Sequence, residues 1–187
     1  MIRLNLGCGQ NKQAGYINID KFAACDPDLV WDLDLCPWPF ETSSVTEIMM
    51  THVLEHLGPT TESFLAIIKE LYRVCAPGGT IHIAVPHPRS DSFISDPTHV
   101  RPILPSMMTL FSKDMVREWA ELNIANTPLA TYIDVDFAFG DMKMTLMPHW
   151  SEQMESGKLN RAGINHAIQS YNNVVSEMSF TLTAIKR

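Results

Sequence analysis

The sequence predicts an α/β domain built on a mostly parallel sheet. Short apolar runs of strand length, each closed by glycine, proline or an acid, recur along the chain. They alternate with segments whose apolar residues fall at spacings of three and four, the signature of helices packed on a sheet. At 187 residues the whole chain, 1–187, is expected to form a single domain.

The elements follow in order. Residues 2–7, IRLNLG, are an apolar run stopped by glycine and read as a buried strand with a tight turn. Residues 15–20, GYINID, alternate and end in an acid, a second strand; 29–35, LVWDLDL, is a weaker third, stopped by Pro37 and Pro39. Residues 45–50, VTEIMM, form a fourth. Over 60–75 a helix is predicted: Phe64, Ile68, Leu71 and Cys75 share a face, widened by Leu65 and Tyr72. Thr60 or Thr61 caps its start, Glu62 suits the positive end of the dipole, and APGG (76–79) ends it. TIHIAVP (80–86) is a fifth strand, followed by a polar loop over 86–105. A helix is predicted over 112–122 with Ser112 as cap, a strand over 130–139, a helical tendency over 161–171 and a final strand over 174–186. The last two strands are candidates for an antiparallel edge.

Composition narrows the function classes. The net charge of −7 argues against binding to a nucleic-acid backbone, which calls for a basic stripe. No apolar run reaches the roughly 18 residues of a membrane span. Cys8, Cys25, Cys36 and Cys75 form no C-x-x-C pair, and no signal peptide is evident. Reduced thiols and a cytoplasmic location are the expectation. Eleven methionines read as core filling, with a methionine-lined cleft as the alternative.

The turn LNLGCG puts Gly7 and Gly9 directly after the first strand, where glycine lets the chain turn sharply and a ligand come close. An acid at the end of the second strand, Asp20, suits ribose hydroxyls. Taken in order, LNLGCG, YINID, DLDLCPWPF, HVLEHL and LYRVCAPGGTIHIAVP resemble the successive motifs of class I S-adenosylmethionine-dependent methyltransferases. The resemblance spans residues 2–86, the expected cofactor-binding half, and leaves 87–187 for the substrate-side loop, helices and last strands. It implies a Rossmann-like seven-stranded sheet with only the last strand antiparallel and helices on both faces. It implies S-adenosyl-L-methionine as cofactor. Gly7, Cys8 and Gly9 would lie against its methionine part, with Asn5 or Leu6 at the strand end, and Asp20 would hold the ribose. Asp34, or Asp32 in another register, would meet the adenine amino group, with Leu33 or Leu35 on the ring, and His52 would face the methyl group. The chain departs from the family in one respect. Only residues 10–15 separate the first two strands, where the family has a full helix, so that helix is one turn or missing. Backbone N–H groups in a nest-like turn would then do its work.

HVLEHL also spells H-x-x-E-H, from His52 through Glu55 to His56, a pattern of zinc peptidases. A zinc hydrolase needs both histidines on one helical face and a third ligand; Gly58 and Pro59 end any helix at once, and no later acid stands out. No metal is therefore expected, and the zinc hydrolase is kept as the lesser alternative, beside a non-catalytic module that binds the cofactor without turning it over.

Methyl transfer from a sulfonium has a neutral leaving group, so alignment does most of the work. A base is needed only for a hydroxyl or a protonated amine, and His52, His87 and His99 are the candidates. Arg89, Asp96, Arg101 and Trp150 are candidates for holding the unidentified acceptor, a small or exposed oxygen or nitrogen group.

Overall fold

Apolar alternation and glycine-closed runs translate directly into a sheet. The computed structural model describes residues 2–186. Its strands are β1 (Ile2–Leu6), β2 (Ile17–Asp20), β3 (Leu29–Val30), β4 (Val45–Thr51), β5 (Cys75–Pro86), β6 (Phe137–Leu146) and β7 (Val175–Ala184). They form a seven-stranded sheet in the order β3-β2-β1-β4-β5-β7-β6. The first five are mutually parallel, and β7 runs antiparallel to both of its neighbours. Around the sheet lie α1 (Thr61–Val74), α2 (Asp91–Ile94), α3 (Pro105–Met108), α4 (Lys113–Glu121), α5 (Leu129–Tyr132), α6 (Pro148–Glu155) and α7 (Arg161–Ser170). None of the described helices is long and apolar enough to cross a membrane.

The central strands alternate, with their apolar residues on one face of the sheet and Arg3, Glu47 and His82 at least partly exposed on the other. Leu4 and Leu6 of β1, Ile48 and Met50 of β4 and Ile81 of β5 are fully buried. Helix α1 buries Phe64, Ile67, Ile68, Leu71 and Val74. Thr60 caps it in a reciprocal box with Ser63.

Three segments differ from expectation. The third strand holds only Leu29 and Val30, because Leu35 N–H bonds Asp32 O and Asp34 N–H bonds Asp32 Oδ1, which closes a turn at once. APGG does not separate helix from strand; β5 already starts at Cys75, and Ala76–Gly79 bulge out between the Val45 and Glu47 pairings with β4. The strand expected over 130–139 begins at Phe137 instead. Pro128 opens the turn of α5, and Asp134 sits at φ 51°. Residues 140–146 and helix α6 were not foreseen as strand and helix.

No helix joins β1 to β2. A buried amide network takes its place. Asn5 and Asn18 face each other in the β1–β2 register, and Asn5 Nδ2 donates to Asn18 Oδ1 at 2.9 Å and to Asn11 O at 2.9 Å. Asn18 Oδ1 also accepts from Gln13 N–H at 2.7 Å, and its amide and backbone N–H meet Asp28 Oδ2. Buried polar groups stay only where they are satisfied, so these side chains hold a ten-residue-scale crossover without helical bonds.

Candidate functional site

The sheet order decides what meets at its carboxyl edge. Running from β3 through β2 and β1 to β4, the strand ends present Trp31 and Asp32, then Asp20, then Gly7, then His52. The chain reverses its direction of winding between β1 and β4, and that switch point is where open α/β sheets bind ligands. A cavity of about 340 Å³ opens there, lined by those five residues together with Lys21, Phe22, Leu33, Val53, His56, Leu57 and Thr98. The volume falls within the usual range for small-molecule sites.

Asp20 is buried and its carboxylate is held from two sides. Gly9 N–H donates to Oδ2 and Phe22 N–H to Oδ1, each at 2.9 Å. Each oxygen keeps a lone pair for a further donor. Gly7 takes φ +61°, and a Cβ there would lie 2.5 Å from Val53 Cγ2. Only glycine lets the chain pass under Val53 and leave the cavity floor open.

Beyond β4, His52 sits at φ 55°, an unusual setting for a side-chain-bearing residue, with its N–H tied to Ala84 O at 2.8 Å. Its ring lies between two carboxylates: Nε2 is 2.9 Å from Glu177 Oε2 and Nδ1 is 3.5 Å from Glu55 Oε1. Glu55, then Glu177, raise the His52 pKa above the ordinary histidine value, against an opposing effect of burial. The segment Leu54–His56 is a 3-10 turn, so His52 and His56 do not share the face of an α-helix as the H-x-x-E-H zinc pattern requires.

The other sequence-predicted residues lie as follows. Leu6 and Cys8 are buried and, like Gly9, do not line the cavity; Cys8 N–H pairs with Ile19 O. Asp34 accepts from Gly58 N–H at 2.9 Å, tying two loops together, and Leu35 is exposed. Of the two aspartate registers, the cavity therefore takes Asp32 with Leu33. His87 is buried at the end of β5, outside the cavity lining; its Nδ1 accepts from Arg89 N–H, and burial, then Arg89, lower its pKa. His99 is partly buried with its ring against His56, centroids 4.6 Å apart, and with Asp96 nearby. Arg89 donates to Ile168 O and Gln169 O at the end of α7. Arg101 donates to Gly58 O and Thr60 O and lies over the Phe64 ring. Trp150 donates to Asn173 O and packs in a satellite cluster with Ile164 and Val174. None of these last three lines the cavity. Sequence reasoning missed Phe22 and Trp31; large aromatics flanking an acid at a strand end were the available signal.

Residues 4–83 match a family model described as a methyltransferase domain. A comparison with curated proteins found no match in sequence. Among solved structures, the chain is similar to a SAM-dependent methyltransferase from Archaeoglobus fulgidus, at 17% identity over 97% of this chain and 85% of that one, with TM-score 0.59. It is similar to a second from Methanosarcina mazei, at 13% identity over 99% and 92% of the two chains, TM-score 0.57. A third, 1,6-didemethyltoxoflavin-N1-methyltransferase from Burkholderia thailandensis, was solved with bound 1,6-didemethyltoxoflavin and S-adenosylhomocysteine; it is 9% identical over 99% of this chain and 71% of that one, TM-score 0.52. Residues 4–83 thus resemble a methyltransferase domain, and the chain has the mostly parallel seven-stranded fold seen in solved S-adenosylmethionine-dependent methyltransferases.

Proposed function

We propose that the protein transfers the methyl group of S-adenosyl-L-methionine to a small or exposed oxygen or nitrogen acceptor entering on the His52 side of the cavity. The observation that carries this is the convergence of Gly7, Asp20, Asp32 and His52, from four successive strand ends, on one cavity. The free lone pairs of Asp20 suit the two ribose hydroxyls. Asp32 suits the adenine amino group, with Phe22, Trp31 and Leu33 as the apolar wall against which a purine packs. The bare backbone at Gly7 suits the methionine chain.

The reaction asks little of the protein chemically. The methyl–sulfur bond breaks with its electron pair going to sulfur, which becomes a neutral thioether, while an acceptor lone pair forms the new bond. Alignment of acceptor, methyl carbon and sulfur supplies most of the acceleration. A hydroxyl or ammonium acceptor also gives up a proton, to solvent at the cavity mouth. His52, half exposed between Glu55 and Glu177 and one of two histidines in the wall, orients such an acceptor.

Binding and turnover are separated by one experiment with two arms. At about 100 times its dissociation constant, S-adenosylhomocysteine should stabilise the protein by about 2.7 kcal/mol, a rise of roughly 5–10 °C in Tm for a chain of this size. Radiolabelled S-adenosylmethionine offered with a broad acceptor panel should then yield labelled product. Stabilisation without product from any acceptor supports the module that binds without turnover, a reading favoured by the missing first helix. No stabilisation removes both.

A further inference from the structure

Glu55 is the most anomalous side chain in the molecule. Its carboxylate is fully buried, and neither oxygen has a hydrogen-bond partner. An ionised carboxylate in such a place is strongly disfavoured unless a cation meets it. The nearest imidazole nitrogens stand off, with His52 Nδ1 at 3.5 Å and His99 Nε2 at 4.0 Å from Oε1. His52 meets that oxygen only as a loose ion pair from one side, and His99 stands off on the other, which leaves room on its side.

The histidines around it are set up as ligands. His99 Nδ1 is 2.8 Å from Phe93 O, and a carbonyl only accepts, so Nδ1 carries the proton and Nε2 the lone pair. His56 Nδ1 meets Thr98 O at 3.3 Å and Thr98 Oγ1 at 3.0 Å, while that hydroxyl is 2.6 Å from Asp96 Oδ1 and donates to it. His56 therefore also carries its proton on Nδ1 and leaves Nε2 free. A backbone carbonyl or carboxylate holding the far nitrogen is the usual support of a metal-bound imidazole. Glu55, His56 and His99 bring one ligand atom each within 4.8 Å of one another. The two segments that carry them are stapled by the backbone: Val100 N–H and Arg101 N–H both donate to Glu55 O.

We propose that Glu55, His56 and His99 form a divalent transition-metal site at the acceptor end of the cavity. Two imidazoles and one carboxylate suit zinc, or manganese as the harder alternative, better than magnesium or calcium, which take oxygen ligands. Ligand atoms of a four-coordinate zinc sit roughly 3.3 Å apart, so the three side chains draw together on loading. Three protein ligands leave a coordination position open, as catalytic sites do. His56 and Thr98 line the cavity, which places the site at its edge. The absence of a later acid as third ligand spoke against a metal in the sequence; the third ligand is instead a histidine brought in by the loop after β5. Resting on the methyl-transfer reading, the site narrows the acceptor to one that offers an oxygen to the ion. The ion lowers the pKa of that hydroxyl, whose proton leaves to solvent, and fixes its lone pair for attack.

The test is isothermal titration of the chelator-stripped, full-length protein with Zn²⁺ and separately with Mn²⁺. S-adenosylhomocysteine affinity and far-ultraviolet circular dichroism are measured on the same samples. One saturable equivalent is expected. Glu55→Gln and His99→Ala should each weaken it beyond the roughly 10–100-fold typical of an outer-shell change, with S-adenosylhomocysteine affinity within about threefold of wild type. No saturable binding of either ion, or equal binding in both folded variants, overturns the site. Should Glu55→Gln fail to fold, His99→Ala decides alone. Metal binding without any S-adenosylhomocysteine binding keeps the site and removes the methyl-transfer reading.

Discussion

Gly7→Ala is the most exposing substitution at the cavity floor. Its Cβ would lie 2.5 Å from Val53 Cγ2, 2.9 Å from Cγ1 and 3.3 Å from Cβ. Val53 is buried and β-branched, so it has little rotameric freedom with which to retreat. Overpacking of this kind costs about 1–3 kcal/mol. The left-handed backbone at φ +61° adds about 1–2 kcal/mol for any residue with a Cβ. Together they predict about 2–5 kcal/mol, or roughly 4–20 °C in Tm for a domain of this size. Gly9→Ala is the internal control: it shares the left-handed backbone at φ +49° but meets nothing within 4 Å, so only the conformational part remains. Denaturant unfolding of Gly7→Ala, Gly9→Ala, Val53→Ala and the double variant Gly7→Ala/Val53→Ala separates the two contributions. The double variant should lose less than the sum of its singles by the steric part, about 1–3 kcal/mol. Additivity within about 0.5 kcal/mol would refute the close approach of Gly7 to Val53, and with it the account of the cavity floor.

Three further outcomes follow from other parts of the molecule. Burial pushes the Cys75 thiol up to about 12, with Lys186 pulling weakly the other way. Above the ordinary thiol pKa the unfolded chain loses this proton while the native state keeps it, so stability should fall by about 1.4 kcal/mol per pH unit from roughly pH 9 towards 12; unfolding curves of wild type and Cys75→Ala over that range should show the slope shrinking in the variant, and identical slopes would exclude the assignment. Glu70 is buried and binds Arg73 through both carboxylate oxygens as well as Trp38 N–H at 2.6 Å, so Glu70→Ala should cost about 3 kcal/mol in denaturant unfolding, the low end because Arg73 is partly exposed; a loss below about 1 kcal/mol would show that this pair contributes little. Asn18→Ala removes the acceptor of Gln13 N–H and one of the two acceptors of the buried Asn5 Nδ2, which keeps Asn11 O, so the loss should be about 1–3 kcal/mol in all; both stability and S-adenosylhomocysteine affinity should drop, and an unchanged affinity would separate the amide network from the site.

Local rules made most of the sheet and the main helix legible. Helix α1 stands on spacing, a capping threonine and an early acid, all within one segment. What local pattern did not carry was geometry set by partners far along the chain. Asp32 and Asp34 are two residues apart and equivalent in sequence; a turn closed on Asp32 turns one to the cavity and the other to Gly58. Residues 130–139 alternate like a strand, yet Pro128 and the left-handed Asp134 break the first half into a turn. Arg89 and Arg101 look like anion holders in a polar loop, but Arg89 is used on carbonyls at the end of α7 and Arg101 on carbonyls of the turn before α1. The meeting of His99 with Glu55 depends on a loop crossing over the end of β4, which no periodicity encodes.

The central claim is that the cavity at the strand ends binds an adenosyl cofactor through Asp20, and titration calorimetry with S-adenosylhomocysteine tests it most directly. Wild type should bind one equivalent. Asp20→Asn, which keeps the shape but loses the charge, should bind about 10–100-fold more weakly, as expected for hydrogen bonds to a charged group worth about 1.5–3 kcal/mol. No heat of binding at millimolar ligand, or an Asp20→Asn variant that binds as tightly as wild type, would contradict it.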